Sequence, residues 1–226
     1  MNVRRTEIAP LLRGLSFDGE KGLMVVSREQ LESPDLVCTA EDVPERFKPG
    51  MRSVQVEGVG GFLLGEDYDD AVNQTASAPL RSGRDAVVSN KVCVVTGGAQ
   101  GFGEQFVREL VSHGATVFIA DINLEGAEKL ACELNGQQGR TIAFSVRVDV
   151  TDEESVQSMV AEVVETVGGI DLFISNAGVL KAASVKEQSA AEFEFVTRVN
   201  YIGFFLCAKH VAPVMERMNQ PGGKYF

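Results

Sequence analysis

Two hydropathy textures divide this chain near residue 90. From Lys91 onward, short apolar runs alternate with longer amphipathic stretches. Runs at 91–96, 116–120, 141–148 and 170–175 read as buried strands. Between and after them, helical periods cover 102–113, 124–135, 153–167, 190–197 and 199–218. Regular strand–helix alternation of this kind predicts an α/β fold, a doubly wound parallel sheet with helices on both faces. Right-handed crossovers place its first four strands in the order 3-2-1-4. Tyr225-Phe226 falls where a fifth strand is expected to begin, so the sheet reads as incomplete.

Residues 1–76 read differently, as a small α+β domain of short strands and turns with little helix. Strands are expected at 22–26, 36–39, 53–57 and 61–65. Ser27-Arg28-Glu29-Gln30 and Thr39-Ala40-Glu41-Asp42 carry helix-start chemistry. The acidic run Glu66-Asp67-Tyr68-Asp69-Asp70 lacks the glycine and distal glutamate of a calcium loop, and reads as a solvated helix start. Residues 77–90 have little apolar periodicity and read as a linker.

Apolar content of 44% supports a packed core rather than disorder. The net charge of −11 is shared almost evenly between the two textures, and neither holds a basic stripe. That argues against nucleic acid and anionic membrane as partners. No apolar run approaches the ~20 residues that cross a bilayer. The N-terminus lacks the apolar core of a signal peptide, so the expectation is a cytoplasmic protein. Cys38, Cys93, Cys132 and Cys207 lie far apart and read as buried, reduced thiols. With His113 and His210 as the only histidines, no metal site is expected. His210 reads as a packing or interface residue.

Candidate chemistry concentrates in Val92-Cys93-Val94-Val95-Thr96-Gly97-Gly98-Ala99-Gln100-Gly101-Phe102-Gly103. An apolar strand breaks into glycines and then opens a helix. Small side chains let backbone approach a pyrophosphate, and the helix N-terminus turns free N–H groups toward it. Asp121 ends the next strand, 18 residues past Gly103. A carboxylate there can accept both ribose hydroxyls of an adenosine and repels a 2′-phosphate. No Arg or Lys lies in the glycine loop or directly after Asp121, so NAD is expected over NADP. The alternative for Asp121 is a helix cap before Asn123-Leu124.

The spacing Thr-Gly-x-x-x-Gly-x-Gly, with Asp149-Val150 after the third strand and Asn176-Ala177-Gly178 after the fourth, resembles the short-chain dehydrogenase/reductase family over residues 91–226. The resemblance implies a Rossmann domain in which Gly97, Gln100, Gly101, Phe102 and Gly103 hold the cofactor. It implies that Asp149 and Val150 flank the adenine, and that Asn176, Ala177 and Gly178 stabilise the sheet and line the cofactor. Serine stands at 175, where the family most often has a second asparagine. Asn200 matches the asparagine of the family's catalytic tetrad, whose main chain bends its helix and holds a proton-relaying water. Read from the residues alone, Asn200 is a helix N-cap. The helix from Val199 matches a family dimer surface, which implies a homo-oligomer, a dimer or tetramer.

The family's reaction also uses a serine and a Tyr-x-x-x-Lys pair. Tyr225 has no lysine after it, and the expectation is that these residues belong to a longer enzyme. Residues 52–65 resemble, more faintly, the segment that precedes the dehydrogenase module in bifunctional sugar-phosphate aldolase/dehydrogenases. No histidine precedes His113 to build an aldolase zinc site. A non-catalytic front end of this type occurs in the group of large sorbitol-6-phosphate 2-dehydrogenase-like proteins. The implied function is NAD-dependent hydride transfer on a small-molecule alcohol, a polyol or sugar phosphate such as sorbitol 6-phosphate. The alternatives are a non-catalytic dinucleotide-binding module acting as sensor or scaffold, and a functional role for residues 1–76 in substrate selection or assembly.

Overall fold

A computed structural model describes residues 3–19, 21–73 and 83–219. Two four-stranded sheets organise them. Strands β1 (Met24–Arg28), β2 (Leu36–Cys38), β3 (Ser53–Val56) and β4 (Gly60–Gly65) form the first, in the order β1-β4-β3-β2. Pairing is antiparallel except between β2 and β3. Strands β5 (Val92–Thr96), β6 (Thr116–Asp121), β7 (Ala143–Arg147) and β8 (Leu172–Ile174) form the second, all parallel, in the order β7-β6-β5-β8. That is the 3-2-1-4 order expected from the crossovers, and the fold class is α/β with a doubly wound parallel sheet.

Both faces of the parallel sheet are covered, so its central strands are apolar throughout rather than alternating. Cys93, Val95, Val117 and Ile119 face α4 (Gly101–Ser112) and α5 (Leu124–Gln138), meeting Val107, Val111, Ala127, Leu130 and Leu134. Val92, Val94, Phe118 and Ala120 face the other way, toward α6 (Glu153–Val167) and α8 (Gly203–Asn219). The sequence marks α6 at both ends. The Asp152 side chain accepts from the Glu154 N–H, and Gly168 closes the helix in the left-handed conformation.

The N-terminal sheet shares this second core. Met24, Val25, Val54, Phe62 and Leu64 belong to one cluster with Val156, Met159, Val163, Leu206 and Val211. A helix, α1 (Val3–Leu15), lies against both α6 and α8. This corrects the expectation of little helix before residue 76. Ile8, Ala9 and Leu12 are buried on one side of α1, and so is Arg13, which is 0% exposed. Two other N-terminal expectations also change. Ser27-Arg28 completes β1 instead of opening a helix. The Thr39–Asp42 stretch leads only into the short α2 (Val43–Arg46).

The acidic run does start a helix, α3 (Tyr68–Asn73), but it is not solvated. Asp67 and Asp70 are buried. Asp67 pairs with Arg140 at 3.3 Å, and Asp69 accepts the Thr141 N–H at 2.9 Å. Asp70 pairs with Arg52 at 2.7 Å. Tyr68 sits edge-on to Phe144, which stacks on Phe118 with ring centroids 4.9 Å apart. The run therefore joins the N-terminal sheet to the turn before β7. Of the linker at 77–90, residues 83–87 form one 3-10 turn and 77–82 lie outside the described residues, as does the expected strand start at Tyr225-Phe226. Cys38, Cys93 and Cys207 are buried as expected, whereas Cys132 is exposed on α5.

Candidate cofactor site

At the C-terminal ends of β5, β6 and β8 the chain opens a cleft of about 680 Å³. It lies where the strand order reverses, between the β5 and β8 crossovers, which is where open α/β sheets bind ligands. Its size suits a small organic ligand or cofactor.

The glycine loop forms one wall. Gly97 has φ +64°, and a Cβ there would come within 3.0 Å of the Ala177 Cα. Gly103 is tighter still, since a Cβ would overlap the Gly97 carbonyl oxygen. These two positions let the β5–α4 turn fold flat against the end of β8, leaving room above for an anion. Phe102 at the start of α4 is 83% exposed and lines the cleft with Gln100 and Gly101. Gly103 itself lies beneath the floor, outside the lining.

Asp121 forms the second wall. It is buried, and each carboxylate oxygen already holds a backbone donor. Oδ2 accepts the Ala99 N–H and Oδ1 accepts the Asn123 N–H, both at 2.9 Å. These bonds fix the glycine loop to the end of β6 and fix the carboxylate at the cleft. The helix-cap role belongs instead to Asn123, whose side chain accepts from Gly126. Each Asp121 oxygen retains a second lone pair for a ligand hydroxyl.

Asn176 ties the far side. Its Nδ2 donates to the Thr96 and Gly97 carbonyls at 3.0 and 3.2 Å. Thr96 Oγ1 in turn accepts the Asn176 and Ala177 N–H groups, each at 3.1 Å. Thr96 thus knots β5 to β8. It stood in the glycine motif without being singled out, and its signal was a β-branched hydroxyl at the strand end. Ala177 and Gly178 line the cleft. Asp149 is held by an Asx turn, its Oδ1 accepting from the N–H and hydroxyl of Thr151, and it lines the cleft with Val150. Ile122, Val148, Thr151, Val179, Phe195 and Val199 complete the lining and were not anticipated.

Asn200 is not an N-cap. It lies within a π-helical turn, Arg198–Ile202, that joins α7 (Ala190–Thr197) directly to α8. Such turns are rare and cluster at functional sites. Its Oδ1 accepts the Val179 N–H at 2.8 Å and its Nδ2 donates to the Val179 carbonyl at 2.9 Å. Asn200 therefore lies behind the lining and clamps the segment after Gly178. His210 lies apart from the cleft, 2.8 Å from Glu153, which also pairs with Lys209. Lys209 and His210 hold the Glu153 carboxyl below the usual range. Among the described residues no group of acids, cysteines and histidines could hold a metal ion, and no helix is long and apolar enough to cross a membrane.

A glycine-lined turn at a helix N-terminus, a fixed carboxylate at the end of β6 and a switch-point cleft are features of the doubly wound α/β class. The short chain dehydrogenase family model matches residues 91–224, and the chain belongs to that family. It is similar to an uncharacterized oxidoreductase, YuxG, of Bacillus subtilis, 37% identical over 63% of this chain and 21% of that protein. It is also similar to the sorbitol-6-phosphate 2-dehydrogenase of Escherichia coli, 34% identical over 57% of this chain and 49% of the relative. Among solved structures, a 3-ketoacyl-(acyl-carrier-protein) reductase of Brucella melitensis complexed with NADH matches with TM-score 0.56 and 28% identity, over 60% of this chain and 55% of that one. The chain spans half or less of the length of these two curated relatives.

Proposed function

We propose that the cleft binds a nicotinamide dinucleotide, with NAD preferred. The chain then carries the cofactor-binding part of an oxidoreductase that moves a hydride between the cofactor and a secondary alcohol. The observation that carries this reading is Asp121, whose charge is fixed at the cleft by Ala99 and Asn123 and whose spare lone pairs suit the two ribose hydroxyls. In this reading the loop at Gly97, Gln100, Gly101 and Phe102, drawn flat by Gly103, receives the pyrophosphate. Asp149 and Val150 flank the adenine. Asn176, Ala177 and Gly178 border the nicotinamide half. The bound nicotinamide supplies the hydride chemistry, and the protein supplies orientation and electrostatics. Asn200 positions the Val179 segment beside the reacting end.

Similarity to the Escherichia coli sorbitol-6-phosphate 2-dehydrogenase supports a polyol or sugar-phosphate substrate. The separate strand set of the N-terminal sheet supports treating residues 1–76 as a small domain of their own, packed against the dinucleotide-binding domain.

Titration calorimetry with NAD⁺ tests the cofactor reading. Asp121→Ala removes a charged acceptor of two hydroxyls, so affinity is expected to fall at least about tenfold. An unchanged affinity would count against the assignment.

A further inference from the structure

The glycine loop and the residues after Asp121 hold no cation, yet the sheet sets one on the neighbouring strand, just outside the lining of the cleft. In the β6–β7 ladder the Cα partner of Asp121 is Arg147. Partners in a parallel ladder project from the same face, with strands ~4.8 Å apart. Arg147 therefore leaves the sheet on the Asp121 side, at the C-terminal end of β7, next to the strand end that carries the carboxylate. It is exposed, and among the described residues it has no hydrogen bond or ion pair. A guanidinium on its flexible stem reaches farther than the gap between the two strands.

Asp121 cannot swing over to neutralise it. Both carboxylate oxygens are tied to backbone N–H groups, one to Ala99 in the glycine loop and the other to Asn123 two residues on. Those donors also spread the carboxylate's charge, which weakens its repulsion of a neighbouring anion. The site thus combines an acid fixed by two backbone donors with a free cation one strand away.

We infer that Arg147 is a specificity-determining residue that lets this cleft accept a 2′-phosphorylated adenosine alongside the unphosphorylated one. The inference rests on the dinucleotide reading above. NAD remains the preferred cofactor, because Asp121 still takes the ribose hydroxyls. Arg147 makes NADP a tolerated second one by forming charge-assisted hydrogen bonds with the 2′-phosphate. A planar fork suits a phosphate better than an ammonium, so Arg147→Lys retains only part of the effect.

The test is calorimetry on the 226-residue chain with ADP and with adenosine 2′,5′-bisphosphate, using wild type, Arg147→Gln and Arg147→Lys. The expected result is a loss of about tenfold in bisphosphate affinity for Arg147→Gln, with ADP affinity within about twofold of wild type. Arg147→Lys should fall between. If wild type binds ADP and the bisphosphate-to-ADP ratio does not move in Arg147→Gln, the inference falls alone. Arg147 is then an edge-strand charge that guards β7 against strand pairing. If wild type binds neither probe, the cofactor reading itself falls.

Discussion

Single atoms decide whether the cleft exists. A methyl group at 103 would collide with the Gly97 carbonyl and lie 2.6 Å from the Asn176 amide nitrogen. Gly103→Ala is expected to cost about 1–3 kcal/mol of stability in urea denaturation. It should also weaken ADP binding at least about tenfold, because the turn that it displaces is the one proposed to receive the pyrophosphate. The spacing in the sequence pointed to this glycine, and to an acid at 121 that the structure places at the cleft. It did not announce that Asp121 also braces Ala99, since that bond joins segments 22 residues apart. The thiols divide in a similar way. Burial pushes Cys93 from 9.0 up to about 12 and Cys207 up to about 11. In the unfolded chain these thiols ionise from about pH 9, while in the folded protein they stay neutral. Their contribution to stability is therefore complete below pH 9 and falls as pH rises toward 12, with a slope of about 1.4 kcal/mol per pH unit for each thiol. Cys93→Ala should flatten that slope in alkaline denaturation. Cys132 sits beside the buried Ala131 but turns to solvent, so a thiol reagent should label it fast and leave the other three slow.

Two capped helices match their expected ranges, whereas α5, capped by Asn123 and Gly139, runs three residues past its expected end. Glu153–Val167 and Ala190–Thr197 follow from Asp152 and from the capping box of Ser189 with Glu192. Helix α1 was not legible, because Pro10 lies inside it and Arg13 interrupts its apolar side. Its order comes from packing on α6 and α8, which no local propensity records. No residue type marks the π turn at Arg198–Ile202, and only the helix bend that the resemblance implied at Asn200 pointed to it. Its consequence is testable at Asn200. Asn200→Ala removes both bonds to the Val179 backbone, at an expected cost of about 1 kcal/mol at this exposed site. Hydrogen exchange at the Val179 amide should accelerate several-fold. Asn200→Asp keeps the acceptor for that amide and loses the donor, so exchange there should stay nearer wild type. Equal acceleration in both variants would mean that the carbonyl bond, not the amide bond, holds the segment.

The two sheets meet through residues that only the fold brings together. Arg13 on α1 reaches Asp171 at the start of β8, 2.6 Å away, and also donates to the Leu23 carbonyl at 3.1 Å. The same Asp171 oxygen accepts the Val92 N–H at 2.7 Å, at the base of the strand that carries the glycine loop. One ion pair thus links the N-terminal helix, its following strand and the neighbouring strands β5 and β8 of the parallel sheet. The pair is buried and incomplete, for Arg13 Nε and Asp171 Oδ1 find no partner among the described residues. Breaking such a pair from one side strands a charge, whereas neutralising both sides costs far less. Arg13→Met alone should therefore lose about 3–5 kcal/mol in urea denaturation. Asp171→Asn alone should lose a similar amount, although the amide oxygen can still accept from Val92. The double variant should recover a large part of either loss, which identifies stranded charge as the cause. Because Val25 and Met24 share a core cluster with Val163 and Val164, the halves should also open together. Hydrogen exchange should give β1 and β5 one opening free energy in the wild type, and Arg13→Met should lower both. If β1 opened well before β5 in the wild type, the N-terminal sheet would be a passenger on the parallel-sheet domain, and the Arg13–Asp171 pair would not be what couples them.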